Sequence, residues 1–327
     1  ELGFEDAYSV LAMYLMPKSA IVKMADRAQV NLDDIPRLEF SAPRNLGRDT
    51  TTLNTRLTKS FAVRPAVEDA DPEQDRTGRL ALLLAYGFRA TRDRDRALEW
   101  VGRALRLTPG DPEARLLHAR LLAEDGRPVT AAEELQKVLA GPSPFLEEAA
   151  GVAKSLEADD AVAILRQIRK RIPSSGEVRL ALAEALYQAG ENRQAEKEYR
   201  DLLRDDPTDR RVLFGLGRVL LAQKLYPEAL EAFQGAAKQG ESSGEFHADL
   251  GETLMWLGRY QEAAKACRQA LRSNVESVAR RLNLAISLAQ LGPAHATEAE
   301  QRLREVLAMD SGNTRAWEEL QKLGKQF

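Results

Sequence analysis

The sequence predicts an all-α solenoid, a line of helical hairpins stacked on one another, and three observations carry that prediction. Small residues recur at a fixed interval: Ala183, Gly217 and Gly251 are 34 apart, as are Ala195, Ala229 and Ala263. Two further rows keep the same interval, Tyr199, Phe233 and Cys267 in one and Leu202, Ala236 and Ala270 in the other. Self-similarity at such a period marks an array of helix–turn–helix units. The composition agrees: 44% hydrophobic and 30% charged residues with 6% aromatics suit amphipathic helices rather than an extensive sheet. A chain of 327 residues exceeds one compact core of ordinary size, whereas a solenoid has no such limit because each unit contacts only its neighbours.

Residues 2–30 carry apolar side chains at helical spacing (Tyr8, Leu11, Tyr14, Leu15, then Ile21, Met24, Ala28), and Pro17 divides them into two short helices. The string Asn31-Leu32-Asp33-Asp34-Ile35-Pro36-Arg37-Leu38-Glu39-Phe40 follows. With it, residues 1–47 resemble the C-terminal tail of a spermidine-synthase-like aminopropyltransferase domain. That resemblance implies a late strand of a Rossmann-type domain and a fusion of synthase and repeats. The family's cofactor loops and catalytic aspartate lie upstream of such a tail, so no site residue carries over. Read on their own, Asp33 and Asp34 cap a turn before Pro36; two adjacent carboxylates without a histidine or third ligand make a poor metal site. A strand at residues 38–41 without its sheet would expose unpaired backbone groups, so irregular backbone, or pairing with another chain, is expected there. The chain starts at Glu1 with neither the basic start nor the apolar core of a secretory signal, and the start reads as a cut within a longer protein.

Residues 48–77 form a linker in which Leu53, Leu57 and Phe61, at i, i+4 and i+8, predict a helix capping the first repeat. Seven repeats follow over residues 78–311. The first carries Leu84, Ala85, Phe88, Ala97, Val101 and Ala104; the second His118, Ala119, Leu122, Ala131, Leu135 and Val138. The register then slips by four residues around Gly141-Pro142-Ser143-Pro144, about one helical turn, so the third repeat (Ala149, Ala161, Leu165, Ile168) should be a shortened hairpin with a change of superhelical twist. The period returns at Ala183, Gly217, Gly251 and Ala285, and the seventh repeat gains two residues in the turn Gly292-Pro293-Ala294-His295. Residues 312–327 are the C-terminal cap, a helix with Trp317 and Leu320 on its apolar face and Glu318, Glu319 and Lys322 outward.

Leu216-Gly217, Gly258-Arg259-Tyr260 and Ala263, set in a 34-residue period, resemble the tetratricopeptide repeat (TPR). The resemblance implies a right-handed superhelix in which the first helix of each hairpin lines a concave groove for an extended peptide or a helix. Counted from the small residues, the groove positions include Tyr86, Arg120, Glu184, Tyr187, Phe214, Arg218, Leu221, Glu252, Met255, Trp256, Asn283, Ile286 and Gln290. Exposed Phe214, Met255 and Trp256 beside Arg218 have the chemistry of binding hot spots, although the same side chains also suit packing on the next hairpin. The Lys/Asn clamp of chaperone-tail TPRs is missing along Tyr86, Arg120, Glu184, Arg218, Glu252 and Ile286. The asparagine ladder of glycosyltransferase TPRs is reduced to Asn283.

No residue pattern calls for catalysis, a cofactor or a metal. Gly215-Leu216-Gly217 lacks the preceding strand, third glycine and acidic partner of a dinucleotide loop. Cys267 sits on the aromatic row as a small buried hydrophobe, His118 reads as a packed, hydrogen-bonded histidine, and His247 and His295 show no ligand spacing. A net charge of −3 and a pI near 5.9 give no general nucleic-acid binder, and no apolar run of about 18 residues spans a bilayer. A single cysteine fits a reducing compartment, so a cytoplasmic setting is expected. The expected function is a non-enzymatic scaffold for a protein or peptide partner, with self-association through the solenoid ends as a further expectation. The alternative is an accessory region of an aminopropyltransferase-like fusion.

Overall fold

The computed structural model describes residues 78–90, 92–272 and 277–326, and these are helical with no strand. The N-terminal helices, the synthase-like tail and the capping helix expected before residue 78 lie outside the described residues. Helices pair in chain order: α1 (Arg79–Ala90) with α2 (Arg94–Leu107), α3 (Pro112–Glu124) with α4 (Pro128–Leu139), and α5 (Leu146–Ala153) with α6 (Ala158–Arg171). Next come α7 (Gly176–Gln188) with α8 (Asn192–Asp205), α9 (Arg210–Ala222) with α10 (Tyr226–Lys238), and α11 (Gly244–Trp256) with α12 (Tyr260–Leu271). Then α13 (Val278–Gln290) pairs with α14 (Ala296–Met309) across a 3₁₀ turn (Pro293–His295), and α15 (Thr314–Gln326) closes the array. The architecture is an α-solenoid. The described residues fall into two compact units, divided between Ile168 and Arg169, and each is described by itself.

Helix ends repeat with the same period as the core. Ser175, Asp209, Ser243 and Ser277 cap α7, α9, α11 and α13, each side-chain oxygen accepting from a backbone N–H two or three residues on. Such a cap contributes about 1 kcal/mol. Within most hairpins the chain reverses through one left-handed residue, at Arg92, Gly126, Gly190, Lys224, Gly258 and Gly292. The next amide then donates five residues back, Arg127 to Leu122, Glu191 to Leu186, Leu225 to Leu220 and Arg259 to Leu254, which satisfies carbonyls that the helix end leaves open. The third hairpin is shortened as expected, α5 having eight residues where α3 and α7 have 13.

In the first unit Ala85, Ala97, Val101 and Ala104 are buried with Ala119, Ala131, Leu135 and Val138, so both repeats use the small residues to bring their helices together. Glu134 of α4 is buried as well, with Arg115 at 3.0 Å, Lys137 at 2.7 Å and His118 Nδ1 at 3.8 Å. Burial pushes the Glu134 carboxyl upward, but Lys137, His118 and Arg115 outweigh it and hold it below its ordinary value. His118 is packed as expected, but its Nδ1 makes no hydrogen bond, since Glu134 stands 3.8 Å away.

In the second unit the tight approaches are measurable. A Cβ added to Gly217 would lie 2.5 Å from the Phe233 ring of its own hairpin, and one added to Gly251 would lie 2.7 Å from Cys267 Sγ. At Gly215 it would strike Tyr199 of the preceding hairpin at 2.4 Å. Tyr199 thus fills the gap toward the next unit, and Phe233 does likewise against Phe246, with centroids 6.0 Å apart. Cys267 is buried, and burial pushes its thiol up to about 12, which suits a packing residue. Adjacent hairpins are also tied by charge: Glu177 meets Arg211 at 2.9 Å, as Arg79 meets Glu113 at 3.1 Å in the first unit, both pairs 34 residues apart.

The C-terminal helix departs from expectation at two residues, Trp317 and Glu319, the latter largely covered rather than outward. Trp317 is exposed, its Nε1 donating to the Ser311 carbonyl, and α15 buries Ala316 and Leu323 with Leu320 half-buried beside them. Residues 316, 320 and 323 share one helix face, and Trp317 lies off it.

Gly217→Val is expected to lower unfolding stability by about 1–3 kcal/mol, since Phe233 or the backbone must move. Gly151→Ala, at an exposed position of α5 with nothing within 4 Å of the new methyl, should instead raise it by about 0.5–1 kcal/mol. Urea midpoints for the two variants check both signs.

Candidate functional site

The second unit places Glu184 and Tyr187 on α7, Phe214, Arg218 and Leu221 on α9, Glu252, Met255 and Trp256 on α11, and Asn283, Ile286 and Gln290 on α13. Tyr86 and Arg120 belong to the first unit, both half-buried, and Tyr86 Oη donates to Glu113 at 3.4 Å.

Arg218 joins three helices. Its guanidinium carbon sits 4.9 Å above the Tyr187 ring and 5.7 Å above the Phe214 ring, and Nε lies 3.3 Å from Asp249 Oδ2. A cation held over aromatic faces is attracted by the ring quadrupole, worth about 0.5–2 kcal/mol according to exposure. Asp249 pairs poorly for its depth. Burial pushes its carboxyl up to about 6 despite the attraction of Arg218, and the neighbouring Glu252 and Glu245 add to the rise. Taking a charge out of water outweighs one imperfect ion pair.

Two expectations about exposure are not met. Phe214 is half-buried, packed at 6.1 Å from Phe233 and 6.0 Å from Phe246, and Met255 is buried. Asn283 and Ile286 are buried too, so on α13 the outward residue of this set is Gln290. The period fixes which side chains share a helix face; it does not say that Phe246 arrives to cover Phe214. Trp256 is the exposed aromatic, at 47% relative accessibility. Its ring stacks on Tyr226 of α10 (5.7 Å, 11°), Arg315 of α15 lies 5.2 Å above it, and Nε1 donates to Glu252 at 3.4 Å.

Asp249, Tyr226 and Arg315 escaped the sequence reading. Asp249 had a signal, because Glu245, Asp249, Glu252 and Trp256 fall at i, i+4, i+7 and i+11 on one stripe of α11. Tyr226 and Arg315 come from a second helix and from the cap, and no repeat register aligns them with Trp256. Gly215-Leu216-Gly217 lies inside α9, in helix rather than in a phosphate loop.

Tetratricopeptide-repeat family models match residues 82–147 and 180–244 in one case and residues 220–291 in another, together more than half of the chain. The chain belongs to the tetratricopeptide-repeat family. Among solved structures this TPR chain is similar to a tetratricopeptide repeat protein from Parabacteroides merdae, at 17% identity and TM-score 0.55, covering 76% of this chain and 99% of that one. It is also similar to a chain of the APC/C hetero-tetramer Cut9–Hcn1, at 16% identity and TM-score 0.51, covering 92% of this chain and 51% of that one, so it spans about half that relative's length. At such identities the likeness shows the TPR fold alone. No curated protein matches the chain by sequence. The family models begin at residue 82, and none of the comparisons shows a synthase-like segment in residues 1–47.

Because the folded chain keeps the Asp249 proton up to about pH 6 while an ordinary carboxyl releases it near 3.8, the stability this proton supplies is complete below 3.8 and lost as pH rises to about 6. Thermal melts across that window should show Asp249→Asn with a flatter pH dependence than wild type. A parallel pair of curves would mean that Asp249 titrates normally.

Proposed function

We propose that this TPR chain is a protein-interaction scaffold whose second unit holds a peptide or protein segment against the face formed by α7, α9, α11 and α13. TPR repeats support the general reading, since they commonly serve as protein-binding scaffolds. The observation that carries the finer one is the run Tyr187, Phe214, Arg218 and Trp256, aromatic and arginine side chains on successive first helices. Aromatics and arginine are the residues that dominate interface energetics, because each offers a rigid apolar surface with a polar edge. Two sets of contacts accompany it: Glu177 pairs with Arg211 between α7 and α9, and the Tyr187–Arg218–Asp249 contacts hold the guanidinium in place.

A second reading keeps the aminopropyltransferase-like fusion, in which the repeats recruit or position a synthase. The string from Asn31 to Phe40 favours it, and the coding sequence upstream of Glu1 tests it: an open frame without a Rossmann-type domain removes this reading.

Affinity capture with wild type beside Trp256→Ala and Arg218→Ala tests the first. Loss of the same partner from both variants, with far-ultraviolet circular dichroism unchanged, is the expected result. Full recovery of every partner by both variants would remove the binding face.

A further inference from the structure

We infer that Trp256 is a receptor for an arginine side chain of the partner, and that Arg315 of the C-terminal helix occupies it in the free chain. The inference rests on the binding reading above and names what that face recognises. Trp256 is about half exposed yet held in place: Tyr226 stacks on it and Glu252 accepts from its indole N–H. A tryptophan face is the strongest of the aromatic faces for a cation. The carboxylate beside it suits a guanidinium, whose fork can stack and donate at once. The chain itself shows the chemistry, for the guanidinium carbon of Arg315 stands 5.2 Å above the ring.

Charge complementarity favours a basic occupant. Glu245 and Asp249 lie on the same stripe of α11 as Glu252 and Trp256. The cations that approach this stripe from other helices are Arg218 and Arg280 near Asp249, and Arg315 at the ring. Arg315 differs from Arg218 in that it meets the ring face of Trp256, the surface a second guanidinium would need, whereas Arg218 faces the Asp249 carboxylate. An incoming arginine that displaces it exchanges one cation–π contact for another and gains the remaining groove contacts. In a two-state description the internal contact lowers apparent affinity by the fraction of chains in which the ring is occupied.

The test uses full-length chain labelled with 5-fluorotryptophan, whose three ¹⁹F resonances are assigned with Trp100→Phe, Trp256→Phe and Trp317→Phe. The probes are a short capped peptide with two arginines, the same peptide with citrulline in their place, and an uncharged apolar peptide. The arginine peptide should shift the Trp256 resonance alone, the citrulline peptide should not, and Arg315→Ala should tighten the arginine peptide about two- to fivefold. Glu252→Gln should weaken it about threefold without moving the melting temperature appreciably. Equal binding of the citrulline peptide, or unchanged affinity in Arg315→Ala, overturns the inference. If the apolar peptide protects Phe214 and Arg218 from exchange or labelling while the arginine peptide leaves Trp256 unmoved, the binding face stands and this assignment to it falls. If neither peptide perturbs the face, both fall.

Discussion

Everything in this chain follows from one steric constraint: the two helices of a hairpin approach so closely that one of the facing residues must be nearly bare. Gly217 faces Phe233 and Gly251 faces Cys267, in each case at a distance that leaves no room for a methyl group. A glycine inside a helix costs about 1 kcal/mol in propensity. The sequence carries that cost twice because the aromatic or sulfur-bearing neighbour on the second helix gains more from full burial. Once the small–large pair is seated, the remaining apolar stripe of the hairpin has nowhere to go but the next hairpin. Tyr199 against Gly215 and Phe233 against Phe246 are that second contact.

Stacking of this kind draws on both helices of each hairpin, and on the first helices of the second unit it buries Met255, Asn283 and Ile286 while leaving Arg218, Trp256 and Gln290 at least partly in water. That is where the chemistry of the second unit collects. Arg218 spans two rings and a carboxylate drawn from three helices, and Trp256 meets residues from α10 and α15. Such clusters need a rigid backbone beneath them, which the capped helix starts and the left-handed hairpin turns provide. The strained member of the cluster is Asp249, whose charge sits deeper than its partner can compensate. Elsewhere the same unit uses charge conventionally, as in the exposed Glu177–Arg211 pair, which contributes little stability.

Along the sequence the row at the close approach keeps to small residues, Ala183, Gly217, Gly251 and Ala285, whereas the row next to it runs through Tyr86, Arg120, Glu184, Arg218, Glu252 and Ile286 with no common size or charge.

By itself the sequence determined the hairpin count, the shortened third repeat, the extra turn at Gly292 and the small–large pairing, because each is set by local period and by volume along the chain. It also placed Arg218 and Trp256 on one helix face in their respective repeats. Only the tertiary structure decided which of those residues meet water. Phe214 and Met255 are covered by side chains that arrive from neighbouring elements, Trp317 turns outward while Ala316 packs, and Tyr226 and Arg315 reach Trp256 from helices at unrelated positions in the repeat. Periodicity reports the direction in which a side chain leaves its own helix. What waits there depends on how the next helix is rotated, and that is fixed by packing across the whole stack.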